Sequence, residues 1–275
     1  MSATLAPAAQ ARTAGGQRGA ALRHAVYLTG RSLRILRREP VYLAFTLIQP
    51  MVWLLLFGAL FERVADLPGF GDISYLEYLT PGVVVMTAMM SAGWAGSQFI
   101  DDMQRGVMDR NLTSPVSRGA LITGALAYQA VVTVVQSLIV FGVGLLAGAR
   151  YDGGVAGVLV VLLCATLLAV IFAALSCAVA LTLRSQESLI GVSQFLTLPL
   201  AFMSTVMMAP ALLPGWVGTV ARYNPVDWAA RASREALLGS PDWSAVFGRA
   251  GLLAALTLVM AWLATRAFRA YQRSV

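Results

Sequence analysis

Five stretches of this chain run for more than twenty residues without a charged side chain: 40–61, 78–100, 119–149, 153–183 and 188–221. A helix needs about 20 predominantly apolar residues to cross a bilayer, so each block can hold a span. The three longest exceed one crossing, and their ends must run into the interfaces or hold non-spanning structure. A sixth block, 250–265, is short, but Phe247 and Phe268 lengthen it, and Arg249 and Arg266 can reach opposite interfaces. The blocks predict an all-α polytopic membrane protein with six transmembrane helices. Composition agrees: 12% of residues are charged, against about 25% in a soluble domain.

The basic residues set the orientation. With the N-terminus inside, 14 arginines lie on the cytoplasmic face and 6 on the other, while 5 acidic residues lie inside and 8 outside. An excess of basic residues marks the cytoplasmic side, so both termini are predicted cytoplasmic in a bacterial inner membrane. The net charge of +7 belongs to this asymmetry and implies no nucleic-acid partner.

All 20 basic residues are arginine. Without lysine there is no P-loop and no Schiff-base or lysine-nucleophile chemistry, so the chain binds no ATP of its own in the conventional way. His24, the single histidine, sits among arginines before the first span, which reads as an interfacial position. It excludes a histidine-rich metal site and leaves no Ser/His pair within the spans. Cys164 and Cys177 lie thirteen positions apart in one apolar block, about 20 Å on a helix, and are not expected to pair. No ionisable residue lies in the middle of a predicted span. That disfavours an ion-coupled transporter, although Gln49, Gln98, Gln129, Gln136 and Gln194 supply polar groups able to line a path, most of them better suited to interhelical hydrogen bonds. Gly144 and Gly148, and Gly153 and Gly157, have the spacing that lets helices approach closely.

Residues 1–20 read as a disordered cytosolic tail. In 21–39, Leu22, Ala25, Val26, Leu33 and Leu36 share one helical face, with Arg23, Arg31, Arg34 and Arg38 on another. This predicts an interfacial amphipathic helix, which Pro40 ends. The spans occupy 40–267, and 268–275 form a cytosolic tail. Between spans two and three, Asp101 to Arg118 mixes both charge signs with Val107, Met108 and Leu112 at near-helical spacing, and Pro115 stops the run. Such a helix can present an apolar ridge to a soluble partner. From Ala209 to Arg249, Pro210 and Pro214 break the apolar run, Trp216 falls at interfacial depth, and Asn224-Pro225 leads into a helix-like piece carrying Arg231, Arg234 and Glu235. Short helices that dip into the outer leaflet and return are expected here.

The order of these features resembles the permease subunits of ABC-2-type exporters, in particular the daunorubicin-resistance type, from about Leu22 to Arg273. Three local patterns carry the likeness: Tyr78-Leu79-Thr80-Pro81-Gly82; Gly106-Val107-Met108-Asp109-Arg110 with Ser114-Pro115-Val116-Ser117-Arg118; and Leu213-Pro214-Gly215-Trp216 followed by Asn224-Pro225. The resemblance implies a connecting helix at the membrane surface, including Arg31, Arg34, Arg38 and Pro40. It implies a coupling helix within Asp101, Asp102, Gln104, Arg105, Gly106, Val107, Met108, Asp109, Arg110, Leu112, Pro115 and Arg118. Where relatives often carry glutamates around the glycine, this chain has Gln104 and Asp109. Extracellular re-entrant helices would include Pro214, Gly215, Trp216, Asn224 and Pro225.

The resemblance also implies the partners: two copies of a separate ATP-binding subunit carrying ATP and Mg, and a second permease subunit, identical or related, within membrane lipid. The expected activity is non-catalytic export of a hydrophobic drug, antibiotic or lipid-like compound. Met86, Met90, Trp94, Phe195, Phe202 and Met203 are candidates to line an apolar path. Export of a lipid-linked polysaccharide or glycolipid is the alternative, followed by a structural or enzymatic membrane subunit.

Overall fold

Helix dominates the described residues of the computed structural model, which are 40–63, 73–107, 118–207, 210, 213–238 and 241–273, and no strand occurs among them. Helix α1 covers Pro40–Val52, passes through a π-helical turn at Trp53–Phe57 and ends in Gly58–Leu60. Pro50 inside it has no N–H to give to the ladder. The rings of Trp53, Phe57 and Phe61 stack along its last turns, with centroids 4.7 and 5.4 Å apart.

Helix α2, Tyr75–Gly93, opens with a reciprocal capping box: the Ser74 hydroxyl accepts from the Glu77 N–H, and the Glu77 carboxylate accepts from the Ser74 N–H. After a break at Trp94, Ala95 and Gly96 the chain continues as α3, Ser97–Gln104. The other helices are α4 (Arg118–Leu146), α5 (Gly154–Leu183), α6 (Gln186–Phe202), α7 (Gly215–Ala221), α8 (Pro225–Leu237) and α9 (Trp243–Arg273).

Helix α5 is the centre of the bundle and packs against α2, α4, α8 and α9. It is apolar on every side, the pattern of a helix with no water-facing surface. Ala165, Leu168, Ala169, Ala173, Ala174 and Cys177 are fully enclosed. Its small side chains admit close neighbours, and the start of the helix shows the limit. At Gly157 a Cβ would lie 2.5 Å from the Ala236 carbonyl oxygen, and at Gly153 it would overlap that same atom. The Gly153 N–H donates to the Leu237 carbonyl oxygen at 3.0 Å. The glycine spacing read from the sequence is thus the seat of α8 on α5.

Among the described residues, four segments are long and apolar enough to cross a membrane: Tyr75–Gln104, Leu121–Leu146, Gly154–Leu183 and Trp243–Tyr271. Helix α1 contributes a shorter apolar stretch, Thr46–Leu60, and α6 has 17 residues. The block 188–221 is divided by Met203–Met207, where no regular helix continues. Helix α9 reaches both ways beyond 250–265, and Phe268 and Tyr271 near its end are buried. The Arg184 guanidinium lies 4.7 Å from the Tyr271 ring centroid and so links the end of α5 to the end of α9. Cys164 and Cys177 are both buried and free, as their spacing requires.

Candidate functional site

Three regions are candidates for function: a groove between α1 and α2, the junction of α2 with α3, and a buried polar centre at the opposite end of α2. The groove is lined from α1 by Thr46, Gln49, Pro50 and Trp53, and from α2 by Val83, Met86, Thr87, Met90, Ser91 and Trp94. These positions recur at three- and four-residue steps, so each helix contributes a single face. The cavity volume is about 120 Å³, open on one side, smaller than the roughly 300 Å³ at which ordinary ligand pockets begin. Met86, Met90 and Trp94 therefore come together as the sequence suggests. Phe195 and Phe202 do not join them: both stand exposed on α6, and Met203 follows in the turn after it. Thr46, Gln49 and Trp53 of α1 also line the groove, and of these the sequence marks only Gln49, as a polar group able to line a path. Their i, i+3, i+7 spacing on α1 is the signal that joins the other two to it.

Behind the groove, helix α4 supplies two buried amides. Gln129 Nε2 donates to the Ser91 hydroxyl at 3.2 Å, and Gln136 Nε2 donates to the Thr46 hydroxyl at 3.2 Å. Both are interhelical bonds of the expected kind.

Within the segment Tyr75–Gln104, which contains the span read over 78–100, the helix breaks between α2 and α3. Ser176 of α5 donates to the Gly93 carbonyl oxygen at 2.6 Å and accepts from the Gly96 N–H at 2.9 Å. Ser193 of α6 also donates to the Gly93 oxygen, at 3.0 Å. Two hydroxyls from neighbouring helices replace the ladder bonds that the break removes, which is why a kink persists inside the bundle. Close approach requires glycine at 96, where a Cβ would overlap the Ser176 carbonyl oxygen.

Beyond the kink, α3 buries Phe99 and Ile100, the latter against Ala180 and Leu189, and exposes Asp101, Gln104 and Arg105. Asp102, Met103 and Val107 are partly covered. Gly106 adopts φ +67 just past the end of α3, the left-handed C-terminal position that favours glycine. Met108, Asp109, Arg110, Leu112 and Pro115 lie outside the described residues, as do Arg31, Arg34 and Arg38. Pro40 opens α1, and Arg118 opens α4.

At the other end of α2 lie two short helices, α7 and α8. Pro214 precedes α7, Gly215 begins it, and Trp216 is exposed. Asn224 caps α8, accepting from the Val226 N–H at 2.9 Å, with Pro225 as the first helical residue. The Asn224 amide also donates to the Leu200 and Met203 carbonyl oxygens at 2.7 and 2.9 Å.

Asp227 and Arg234, 1% and 8% exposed, sit one above the other on α8. Asp227 accepts from the Thr205 N–H at 2.8 Å and from its hydroxyl at 2.6 Å, and forms a close ion pair with Arg231 at 2.6 Å. Arg234 donates to the Tyr78 carbonyl oxygen at 3.0 Å, to the Thr205 hydroxyl at 3.3 Å and to the Val206 carbonyl oxygen. Tyr78 donates to the Thr205 carbonyl oxygen at 3.1 Å. A Cβ at Gly82 would overlap the Val206 oxygen and lie 2.9 Å from Arg234 Nη2. The Tyr78–Gly82 pattern and the Asn224-Pro225 pattern thus converge on the Met203–Met207 turn. Burial pushes the Arg234 pKa down, against the upward pull of Tyr78 and Asp227, but a guanidinium stays charged at neutral pH.

The ABC-2 type transporter family matches residues 23–238, a range that holds all three regions. The chain belongs to that family. This ABC-2 chain is 32% identical over 249 residues to the daunorubicin resistance ABC transporter permease protein DrrB1 of Streptomyces coeruleorubidus, covering 87% of this chain and 83% of that protein. It is 28% identical over 200 residues to the putative transport permease ycf38 of Cyanophora paradoxa, covering 72% and 69%. It is 26% identical over 198 residues to the probable doxorubicin resistance ABC transporter permease protein DrrC of Mycobacterium tuberculosis, covering 70% and 71%. The chain is a transmembrane permease subunit of an ABC exporter.

Proposed function

We propose that the chain exports a hydrophobic, drug-like compound, driven by a separate ATP-binding subunit that docks beneath α3 and the segment up to Arg118. The observation that carries this reading is the tie between α3 and the bundle. Its exposed edge of Asp101, Gln104 and Arg105 offers a docking surface, and the hydroxyls of Ser176 and Ser193 fasten the kink above it to α5 and α6. Displacing α3 would then load two helices of the core directly.

In this reading α1 and α6 complete a set of six spans with the four longer ones. Both termini and the α3 end face the cytoplasm, in keeping with the arginine distribution, and α7 and α8 form an extracellular cap. Two such chains, or this chain and a related one, pair with two ATP-binding subunits that carry ATP and Mg. Nucleotide binding favours one of two packings of the helices, and the difference in nucleotide affinity between them supplies the free energy. The drug resistance named for the Streptomyces and Mycobacterium relatives supports a drug-like substrate.

The test is reconstitution of the chain with an ATP-binding subunit encoded beside it, in inverted vesicles. The expected result is ATP-dependent accumulation of daunorubicin that requires both proteins. Absence of a complex and of accumulation overturns the proposal. Build-up of a glycolipid in a deletion strain, without drug transport, favours glycolipid export instead.

A further inference from the structure

Helix α9 has two unlike faces. Val246, Leu253, Ala264, Phe268 and Tyr271 recur at helical steps and are buried against the bundle. The opposite face is bare. Leu252, Val259, Trp262, Arg266 and Arg269 fall on it within about a third of a turn, and Arg273 continues their register at the end of the helix. Trp262 is 56% exposed and its neighbour on this face, Leu258, 73%. Arg266 and Arg269 are exposed below them.

The two arginines stand without a counter-charge. Among the described residues the ion pairs are Arg231 with Asp227 and Arg249 with Glu235. These occupy both carboxylates of α8, while α4 and α5, the other helices packed on α9, carry no acidic residue. None follows Asp242 in the sequence either. The Arg266 guanidinium lies 5.4 Å from the Trp262 ring centroid, so it is turned along the helix toward the apolar run. A guanidinium held at the edge of hydrocarbon without an anion is costly, and its planar fork matches a phosphate. From Arg266 back to Leu252 the face runs about 21 Å, longer than the roughly 15 Å of one leaflet.

We propose that this face of α9 is a binding site for one anionic phospholipid, its phosphate held between Arg266 and Arg269, its glycerol against the Trp262 indole and its acyl chains along Leu258, Val259 and Leu252. A zwitterionic lipid brings its own cation to the arginines and gains less. A soluble phosphate leaves the apolar run uncovered. A second copy of the chain, paired symmetrically through this face, sets arginine against arginine with no acid to offset them. The site requires only that α9 crosses the membrane, and it holds whatever compound the chain exports.

The experiment is native mass spectrometry of the full chain in detergent, titrated with phosphatidylglycerol or with phosphatidylcholine of the same acyl chains. The expected result is a discrete adduct with phosphatidylglycerol, bound about tenfold more tightly than phosphatidylcholine. Arg266→Gln combined with Arg269→Gln should abolish that preference. Arg222→Gln, at an exposed arginine just after α7, should keep it. Arg266→Lys combined with Arg269→Lys retains the charge without the fork and should keep only part of it. Glycerol 3-phosphate, a headgroup without chains, should not displace the lipid.

Equal binding of the two lipids to the unaltered chain overturns the proposal, as does a preference that survives the paired glutamine substitutions. An equal loss in Arg222→Gln would replace the site with diffuse attraction to the whole basic surface. Displacement by glycerol 3-phosphate would make the ligand a soluble anion. A dimer that dissociates in the glutamine variant, with lipid binding unchanged, would give the face to a second copy; each of these three outcomes also overturns the proposal.

Discussion

The Arg234 guanidinium lies over the Tyr78 ring, 3.8 Å from its centroid, and its Nε donates to the backbone oxygen of the same tyrosine. One buried side chain thereby joins α8 to the first turns of α2, and its other nitrogens hold Thr205 and Val206. Arg234→Met should remove the charge and strand those acceptors, at a cost on the order of 3 kcal/mol. Arg234→Lys keeps the charge but neither the planar fork nor the stacking, so it should recover less than half of the loss. Thermal unfolding in detergent distinguishes these outcomes, and a lysine variant as stable as the unaltered chain would refute the account.

The seat of α8 on α5 gives a second expectation. Gly157→Ala drives a methyl group against the Ala236 carbonyl oxygen, backbone that cannot swing aside, and should destabilise by about 1–3 kcal/mol. Gly251, inside α9, has nothing within 4 Å of its notional Cβ. Gly251→Ala should therefore be neutral or slightly stabilising, because alanine suits a helix interior better than glycine. Comparable losses at the two positions would show that helix propensity, not close approach, governs both.

These two centres mark where the sequence was legible. Charge-free blocks placed the long helices because hydrocarbon imposes one rule on every residue of a span, and α5 begins within one residue of its predicted start. The Gly153 and Gly157 spacing announced a close approach but not its partner, which depends on how α8 folds back. The break after Gly93 was hidden, because the hydroxyls that compensate it come from Ser176 and Ser193, about eighty and a hundred residues away. Arg234 and Asp227 were visible only as polar residues in a short helix. Their burial follows from tertiary packing around Thr205, to which no local periodicity points. On the groove, the methionines and Trp94 of α2 were anticipated. On the α1 wall only Gln49 stood out, as a polar group in an apolar block, while Thr46 and Trp53 are residue types that a span carries without any special role.

The kink at the base of α2 provides a third expectation. Ser176→Ala deletes both the donor to Gly93 and the acceptor for Gly96, a loss of about 1–3 kcal/mol at a buried site. Ser193→Ala deletes one bond of the same cluster and should cost less. The local readout is hydrogen exchange at the amides from Trp94 to Ile100. Exchange there should quicken strongly in the first variant and weakly in the second, with α9 unaffected. Uniform acceleration across the chain would mean that Ser176 contributes to global packing and does not specifically hold the junction.

The start of α9 carries a pH-dependent element. The Asp242 carboxylate accepts from the Ser244 N–H at 3.0 Å and the Ala245 N–H at 3.4 Å, capping the helix that opens at Trp243. Hydrogen bonding to the Ser244 side chain first, then to the Ala245 and Ser244 backbone, holds its pKa below the usual carboxylate value. A carboxyl depressed in the folded state stabilises it fully above the unfolded-state pKa, and loses that contribution as pH falls through the lower, folded value. Asp242→Ala should therefore fray the first turn of α9 at neutral pH, seen as faster exchange of the Ser244 and Ala245 amides. The difference between the variant and the unaltered chain should shrink in acid, below the ordinary carboxylate range, because protonation weakens the same cap. A gap that stays constant with pH would assign the effect to helix propensity alone and remove the carboxylate from the account.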